Sequence, residues 1–355
     1  MSRTTYRLRG GLTEKYTAGA FPWRSRNLPR VGHITSWRTA SSSATTSVPR
    51  MAISASRIFH VNANCTDLKR SLGFYRDLLG LTQNTHPMPS ILQRGDAFGL
   101  EQVMWDAWML QSDLGNDGLA LDLLEWKTPL PAGAPPRAIN EIGFHHLTMA
   151  VPDLHACVDR LRDAGVTIIG GPVDMDLGNG SSISMAMVED PDGIPLQLIG
   201  GRDTRISHVV INTRDLDGSV AYYRDVMGMT VLRVVDAVRQ SGALYGMADH
   251  VECRSAMMRD AGSKFMVELI EWIDPLPAPG TDRVRNANDI GLFRMAWSTA
   301  DCHGDETVVR AAGSVPLAPT GTLSVGDHLP LLYVLFWPGP NGECLELIQT
   351  GAPRP

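Results

Sequence analysis

Eight residues recur at matched places along the chain, and most are of types that can coordinate a cation. His60, His146, His208 and Arg294 each stand seven positions before an aspartate, respectively Asp67, Asp153, Asp215 and Asp301. Asp122, Gln197, Glu268 and Glu346 occupy one fixed place in a later strand-like stretch of each copy. Imidazole nitrogens and carboxylate or amide oxygens are ligand-type groups. Guanidinium is not, being always protonated and having no acceptor.

The spacing shows a duplication of pairs. His60 to His146 is 86 residues, as is His208 to Arg294. The first pair of copies maps onto the second with offsets of 148, 146, 148 and 149 residues. Repeats on this scale decide the fold ahead of any local propensity.

The elements that position these residues follow from pattern. Around each opening residue the side chains alternate as in a strand: Phe59, Val61 and Ala63 point one way, His60, Asn62 and Asn64 the other. The ligand-type residue shares its face with mostly small or polar neighbours, as the wall of a cavity would. Each aspartate then suits a helix N-cap, and the helices are amphipathic, with Leu68, Leu72, Tyr75 and Leu79 in the first. Gly80, Gly165, Gly228 and Gly313 stop them at a left-handed C-cap. Two or three strands complete each copy, so the module reads as strand, helix, then three strands.

Matching Pro-rich linkers, Pro129 to Pro136 and Pro275 to Gly280, join modules one to two and three to four. Modules two and three are joined only by Gly200 to Thr204, and the domain boundary is expected there. The expected division is a leader over 1–56, a first domain over 57–200 (modules 57–127 and 142–200) and a second over 205–350 (modules 205–273 and 291–350).

Composition bounds the function class. The 355 residues, 43% hydrophobic and 20% charged, fit a soluble globular protein with no apolar run long enough for a bilayer. Five cysteines without paired spacing argue against a disulfide framework or zinc cluster and for a reducing compartment, read here as cytoplasmic. Residues 1–50 carry nine Lys/Arg against Glu14 alone, while the net charge is -6, so the remainder is strongly acidic. An acidic body excludes a typical nucleic-acid binder. The leader reads as a transit peptide or as sequence upstream of a start at Met51, poorly ordered in either case and outside the site.

The chain resembles the vicinal-oxygen-chelate superfamily of glyoxalases, epimerases, bleomycin-resistance proteins and extradiol dioxygenases. The resemblance is carried by His60 or His208 followed by the Asp-Leu, Ser, Tyr-Arg-Asp and Gly of its helix, and by the run Asp122 to Trp126 and its counterpart Glu268 to Trp272. The run Gly143 to Leu147 and the run Asp190 to Leu198 complete it. It implies an α+β fold of four βαβββ modules paired into two cup-like curved sheets, with a divalent metal in a cup.

Carried over residue by residue, the first half offers His60, Asp122, His146 and Gln197, the favoured metal set, suited to Fe, Mn, Ni, Co or Zn. The second half offers His208, Glu268, Arg294 and Glu346. It is expected to be metal-free or to hold a weaker His208, Glu268 and Glu346 site. Arg294 between two carboxylates could supply the positive charge of a metal, or grip a substrate carboxylate or phosphate. Asp122, Glu268 and Glu346 could act as base or ligand.

A lone strand histidine is more often a hydrogen-bonded structural residue than a ligand, but three at equivalent repeat positions reverse that weighting. His145 is read as structural or as support for its neighbour, and Trp126 and Trp272 as packing. The resemblance implies an epimerase, isomerase or lyase that removes a proton next to a carbonyl through a chelated enediolate. Its substrate would be a small molecule with vicinal oxygens, such as an acyl thioester, keto-sugar or cyclitol ketone. An Fe(II) extradiol-type dioxygenase is the alternative, although Arg294 and Phe336 depart from that pattern. A non-catalytic binding or resistance protein is a third reading, and a homodimer is expected as the assembly.

Overall fold

The computed structural model describes residues 52–55, 57–112, 118–176, 182–277 and 285–351. The basic leader over 1–51 lies outside them. Residues 52–55 do not: Ile53 is buried and donates its N–H to Val226 O at 2.9 Å, and Ser54 N and Oγ bond the Asp305 carboxylate at 2.6 and 3.1 Å. The described fold therefore starts ahead of residue 57, where the sequence placed it.

Four modules follow. The first comprises β1 (Arg57–Cys65), α1 (Leu68–Leu72) continued by a wider helical turn over Gly73–Leu78, β2 (Thr82–Thr85), the short β3 (Gln93–Arg94), β4 (Gln102–Gln111) and β5 (Ala120–Thr128). The second has β6 (Gly143–Val151), α2 (Leu154–Asp163), β7 (Ile168–Asp176), β8 (Ser182–Glu189) and β9 (Pro195–Gly200). The third has β10 (Arg205–Asn212), α3 (Leu216–Asp225), β11 (Thr230–Ser241), β12 (His250–Arg259) and β13 (Met266–Asp274). The fourth has β14 (Gly291–Ser298), α4 (Cys302–Ala311), β15 (Gly321–Leu323), β16 (Leu332–Pro338) and β17 (Cys344–Thr350).

Local chemistry explains the repeat. Asp67, Asp153, Asp215 and Asp301 each accept the backbone N–H three residues on, at Arg70, Ala156, Gly218 and Gly304. Gly80, Gly165, Gly228 and Gly313 all take positive φ, which a side chain would resist.

The strands form two mixed sheets, and the modules pair crosswise. A nine-stranded sheet runs β15-β16-β17-β14-β1-β5-β4-β2, with β3 on β4; an eight-stranded one runs β11-β12-β13-β10-β6-β9-β8-β7. Module one thus pairs with four, through antiparallel β1 and β14, and module two with three, through antiparallel β6 and β10. This corrects the expected pairing within each half. The cut at 200–205 falls inside the second sheet instead of between two domains.

Linker length is the physical reason. Strands lie about 4.8 Å apart, so β9 and β10, with β6 between them, are separated by about 10 Å. The four residues between Gly200 and Arg205, reaching at most about 17 Å, are enough for that step within one sheet. The Pro-rich linkers are longer and carry the chain from one sheet to the other. The first of them also bonds the segment that leads into β14: Ala132 N donates to Asn288 O at 2.9 Å and Ile290 N to Ala132 O at 2.8 Å.

One apolar cluster joins the backs of both sheets to the helices. It includes Val61, Ala63, Leu121 and Leu123 from the first sheet and Leu147, Val209, Val267 and Leu269 from the second. Within it, the Tyr75 hydroxyl donates to the buried Asp190 at 3.1 Å and the Tyr223 hydroxyl to the buried Glu343 at 2.6 Å. Each bond ties a helix of one sheet's module to a turn of the other's. Among the described residues all five cysteines are free and buried, and no helix is long and apolar enough to cross a membrane.

Removing the hydroxyl in Tyr223→Phe leaves a buried carboxylate short of a donor. We expect a loss of about 1–3 kcal/mol in urea unfolding; an unchanged midpoint would show that the bond does not couple the sheets.

Candidate functional site

Each sheet curves around one cup, and register decides which side chains face it. In the second sheet His208 lies opposite Thr148 across the β6–β10 seam, Gln197 beside Thr148, and Glu268 beside Val210. Side chains alternate along a strand, so His146, Thr148, Gln197, His208 and Glu268 share a face. His146 and His208 are diagonal neighbours across the seam, about 7–8 Å apart by backbone and within reach of converging side chains. His208 Nε2 stands 3.5 Å from Glu268 Oε2, and Gln197 Oε1 accepts from Thr148 Oγ1 at 2.9 Å.

Burial sets the protonation of this cup. His146 is held well below the ordinary imidazole range, first by desolvation and then by the neighbouring His145 and His208 rings. His145 is pushed down to about 4 by burial, opposed by its bond to Ala138 O and by Glu141. Both rings are therefore neutral at neutral pH, the form that binds metal ions.

The first sheet carries the equivalent face with different chemistry. Asn62 lies beside Asp122, Ala296 opposite His60, and Glu346 beside Ala296. Arg294 occupies the place that His146 has in the other cup. Its Nη2 bonds Asp122 Oδ2 at 2.5 Å and its Nε bonds Glu346 Oε2 at 2.9 Å. His60 Nε2 stands 3.3 Å from Glu346 Oε2 and 3.8 Å from Asp122 Oδ2. Asn62 Nδ2 also reaches Asp122, at its O (3.0 Å) and Oδ2 (3.3 Å).

Around this triad the cup is packed with Phe98, Trp105, Trp126, Phe293 and Phe336. The Arg294 guanidinium lies 5.8 Å from the Phe98 ring centroid, within cation–π range.

The expected first set is therefore divided. His60 and Asp122 face one cup, His146 and Gln197 the other, because the modules pair crosswise. The expected second set is divided likewise, Glu346 and Arg294 standing with His60 and Asp122, and His208 and Glu268 with His146 and Gln197. Arg294 does lie between two carboxylates, as its chemistry suggested, but they are Asp122 and Glu346.

The donors of the second cup fit a divalent ion by type: two imidazoles, an amide oxygen and a carboxylate. Among the described residues no three His, Cys, Asp or Glu side chains are arranged as placed to hold one ion. Closing on a cation would take side-chain adjustment in Glu268 and Gln197, both with rotatable stems.

Residues to which the sequence assigned no role support these faces. Asn64 and Asn212 sit at equivalent places; each accepts an indole N–H, from Trp126 at 3.1 Å and Trp272 at 3.0 Å, and donates to two carbonyls just ahead of a seam strand, Ala287 and Asp289 for Asn64 and Ile139 and Glu141 for Asn212. Their matched positions two residues before Thr66 and Arg214 were the available signal. Trp126 and Trp272 are thus packing residues.

A family model described as the Glyoxalase/Bleomycin resistance protein/Dioxygenase superfamily matches residues 57–198 and 205–287. A lactoylglutathione lyase of Oryza sativa is 30% identical over 114 residues, which are 30% of this chain and 38% of that protein. The chain thus spans little more than a third of that relative's length. A probable lactoylglutathione lyase of Synechocystis is 26% identical over 151 residues, 40% of this chain and 93% of that protein. Glyoxalase I of Zea mays shares the fold, with a TM-score of 0.60 and 20% identity, covering 82% of this chain and 92% of that one. A putative dioxygenase of Bacillus subtilis superposes with a TM-score of 0.54 and 13% identity, over 85% and 87% of the two chains.

Arg294→Met would leave Asp122 and Glu346 as buried like charges, and we expect it to cost about 3–5 kcal/mol in urea unfolding. Adding Asp122→Leu and Glu346→Leu should restore most of that loss. A single Arg294→Met variant as stable as the parent would mean that the triad is not an ion-pair core.

Proposed function

The chain belongs to the glyoxalase, bleomycin resistance protein and dioxygenase superfamily, and we propose that it is a divalent-metal lyase or isomerase working in the cup of modules two and three. His146, Gln197, His208 and Glu268 would hold the ion. The observation that carries this reading is the difference at one repeat position, where that cup has the neutral His146 and the other has Arg294 already paired to both carboxylates. A guanidinium seated there supplies the local positive charge, so the first cup has little to offer a second cation.

A divalent ion held there would supply Lewis acidity toward the oxygens of a small substrate. The side chains do the rest. His146 and His208 present nitrogens from adjacent strands, and Gln197 adds an oxygen donor without a second negative charge. Glu268, facing the imidazoles, has a second carboxylate oxygen that would take the proton from the carbon next to the substrate carbonyl and return it to the neighbouring carbon. The relatives named lactoylglutathione lyase favour an acyl thioester of the lactoylglutathione kind as substrate, with keto-sugars and cyclitol ketones as the other classes.

A second reading uses the same donors. Two imidazoles and one carboxylate, here His146, His208 and Glu268, are the set of non-haem Fe(II) oxygenases. Oxygen consumption with a catechol and Fe(II) favours it, whereas solvent deuterium appearing in a ketone product favours proton transfer.

Purified protein should bind one equivalent of divalent metal; His146→Ala and His208→Ala should lose it, and His60→Ala should keep it. Glu268→Gln should slow deuterium incorporation by about 10²–10⁴-fold. Metal lost in His60→Ala and kept in His208→Ala would reverse the assignment of the cups.

A further inference from the structure

We infer that His145 is a positioning residue that fixes which tautomer His146 presents to the cup, an inference that rests on reading this cup as the metal site. His145 Nε2 lies 3.2 Å from Ala138 O. A carbonyl only accepts, so that nitrogen carries the hydrogen. His145 Nδ1 lies 2.8 Å from His146 Nδ1, and a bond between two ring nitrogens uses one hydrogen.

Two assignments satisfy that contact. If His145 supplied the hydrogen, it would be protonated on both nitrogens, a buried imidazolium with no carboxylate bonded to it in this chain of contacts. Burial penalises that form. His146 therefore donates from Nδ1 to the lone pair on His145 Nδ1. Its own lone pair is then on Nε2, the nitrogen left to meet a cation.

The chain of bonds has a fixed end. Ala138 belongs to a turn held by Glu141, whose Oε1 accepts from Arg137 N at 2.7 Å and Ala138 N at 2.8 Å. The two rings stand perpendicular, with centroids 5.1 Å apart, so His145 sets the orientation of its neighbour as well as its hydrogen. Partners of this kind, behind a metal-binding imidazole, are worth about 10–100-fold in affinity.

The test uses metal-free full-length chain with 15N-labelled histidine rings, and zinc alone as the affinity probe. The spectrum should show His146 protonated at Nδ1 and bare at Nε2. His145→Phe, which removes the acceptor, should move hydrogen to His146 Nε2 and weaken zinc binding about 10–100-fold. His145→Gln, which keeps one acceptor and one donor, should preserve both properties. Hydrogen on Nε2 of His146 in the parent protein, or a tautomer unmoved in His145→Phe, overturns the inference. The parent spectrum needs no variant to fold. If the tautomer is as described but the parent binds no zinc, the tautomer assignment is supported and the metal reading of the cup fails.

Discussion

The structure depends on two seams, β1 against β14 and β6 against β10. Each joins the opening strands of two modules antiparallel, and each opening strand also pairs in parallel with its own module's closing strand. Four strands from two modules thus lie side by side at the centre of a sheet. Alternation then forces their polar positions onto one face and their apolar positions onto the shared core. Side chains far apart in sequence meet because the backbone ladder leaves them no other direction.

The two cups show what one substitution at the seam can do. In the second cup the seam position holds His146, neutral because it is buried, and the surroundings are ligand-type groups. In the first it holds Arg294, permanently charged, with one carboxylate on each side. A buried cation needs such partners, and buried carboxylates need such a cation. Aromatic side chains close over that arrangement, with Phe98 against the guanidinium. One architecture thus holds an ion-paired core in one sheet and a buried set of imidazole, amide and carboxylate side chains in the other.

Much of this was legible in the sequence. The heptad-like distance from His60 to Asp67 and its three echoes fixed strand, cap and helix, because an N-cap and a glycine stop are local chemistry. The fold of four modules in two cups followed from the resemblance. The pairing of modules did not follow, since duplication makes every opening strand a plausible partner for every other. The signal was present in linker length, where the short Gly200 to Thr204 connection favours neighbours in one sheet. Grouping the ligands by half instead put His60 with His146. The Tyr75–Asp190 and Tyr223–Glu343 bonds were invisible for a related reason: they join modules that share no sheet.

The two cups differ most in where a cation would settle in the folded chain. Crystals soaked with a divalent metal and measured at its absorption edge address that directly through anomalous scattering. A single peak bounded by His146, Gln197, His208 and Glu268 is expected, with nothing beside Arg294. A peak between His60, Asp122 and Glu346, with the second cup empty, would contradict it.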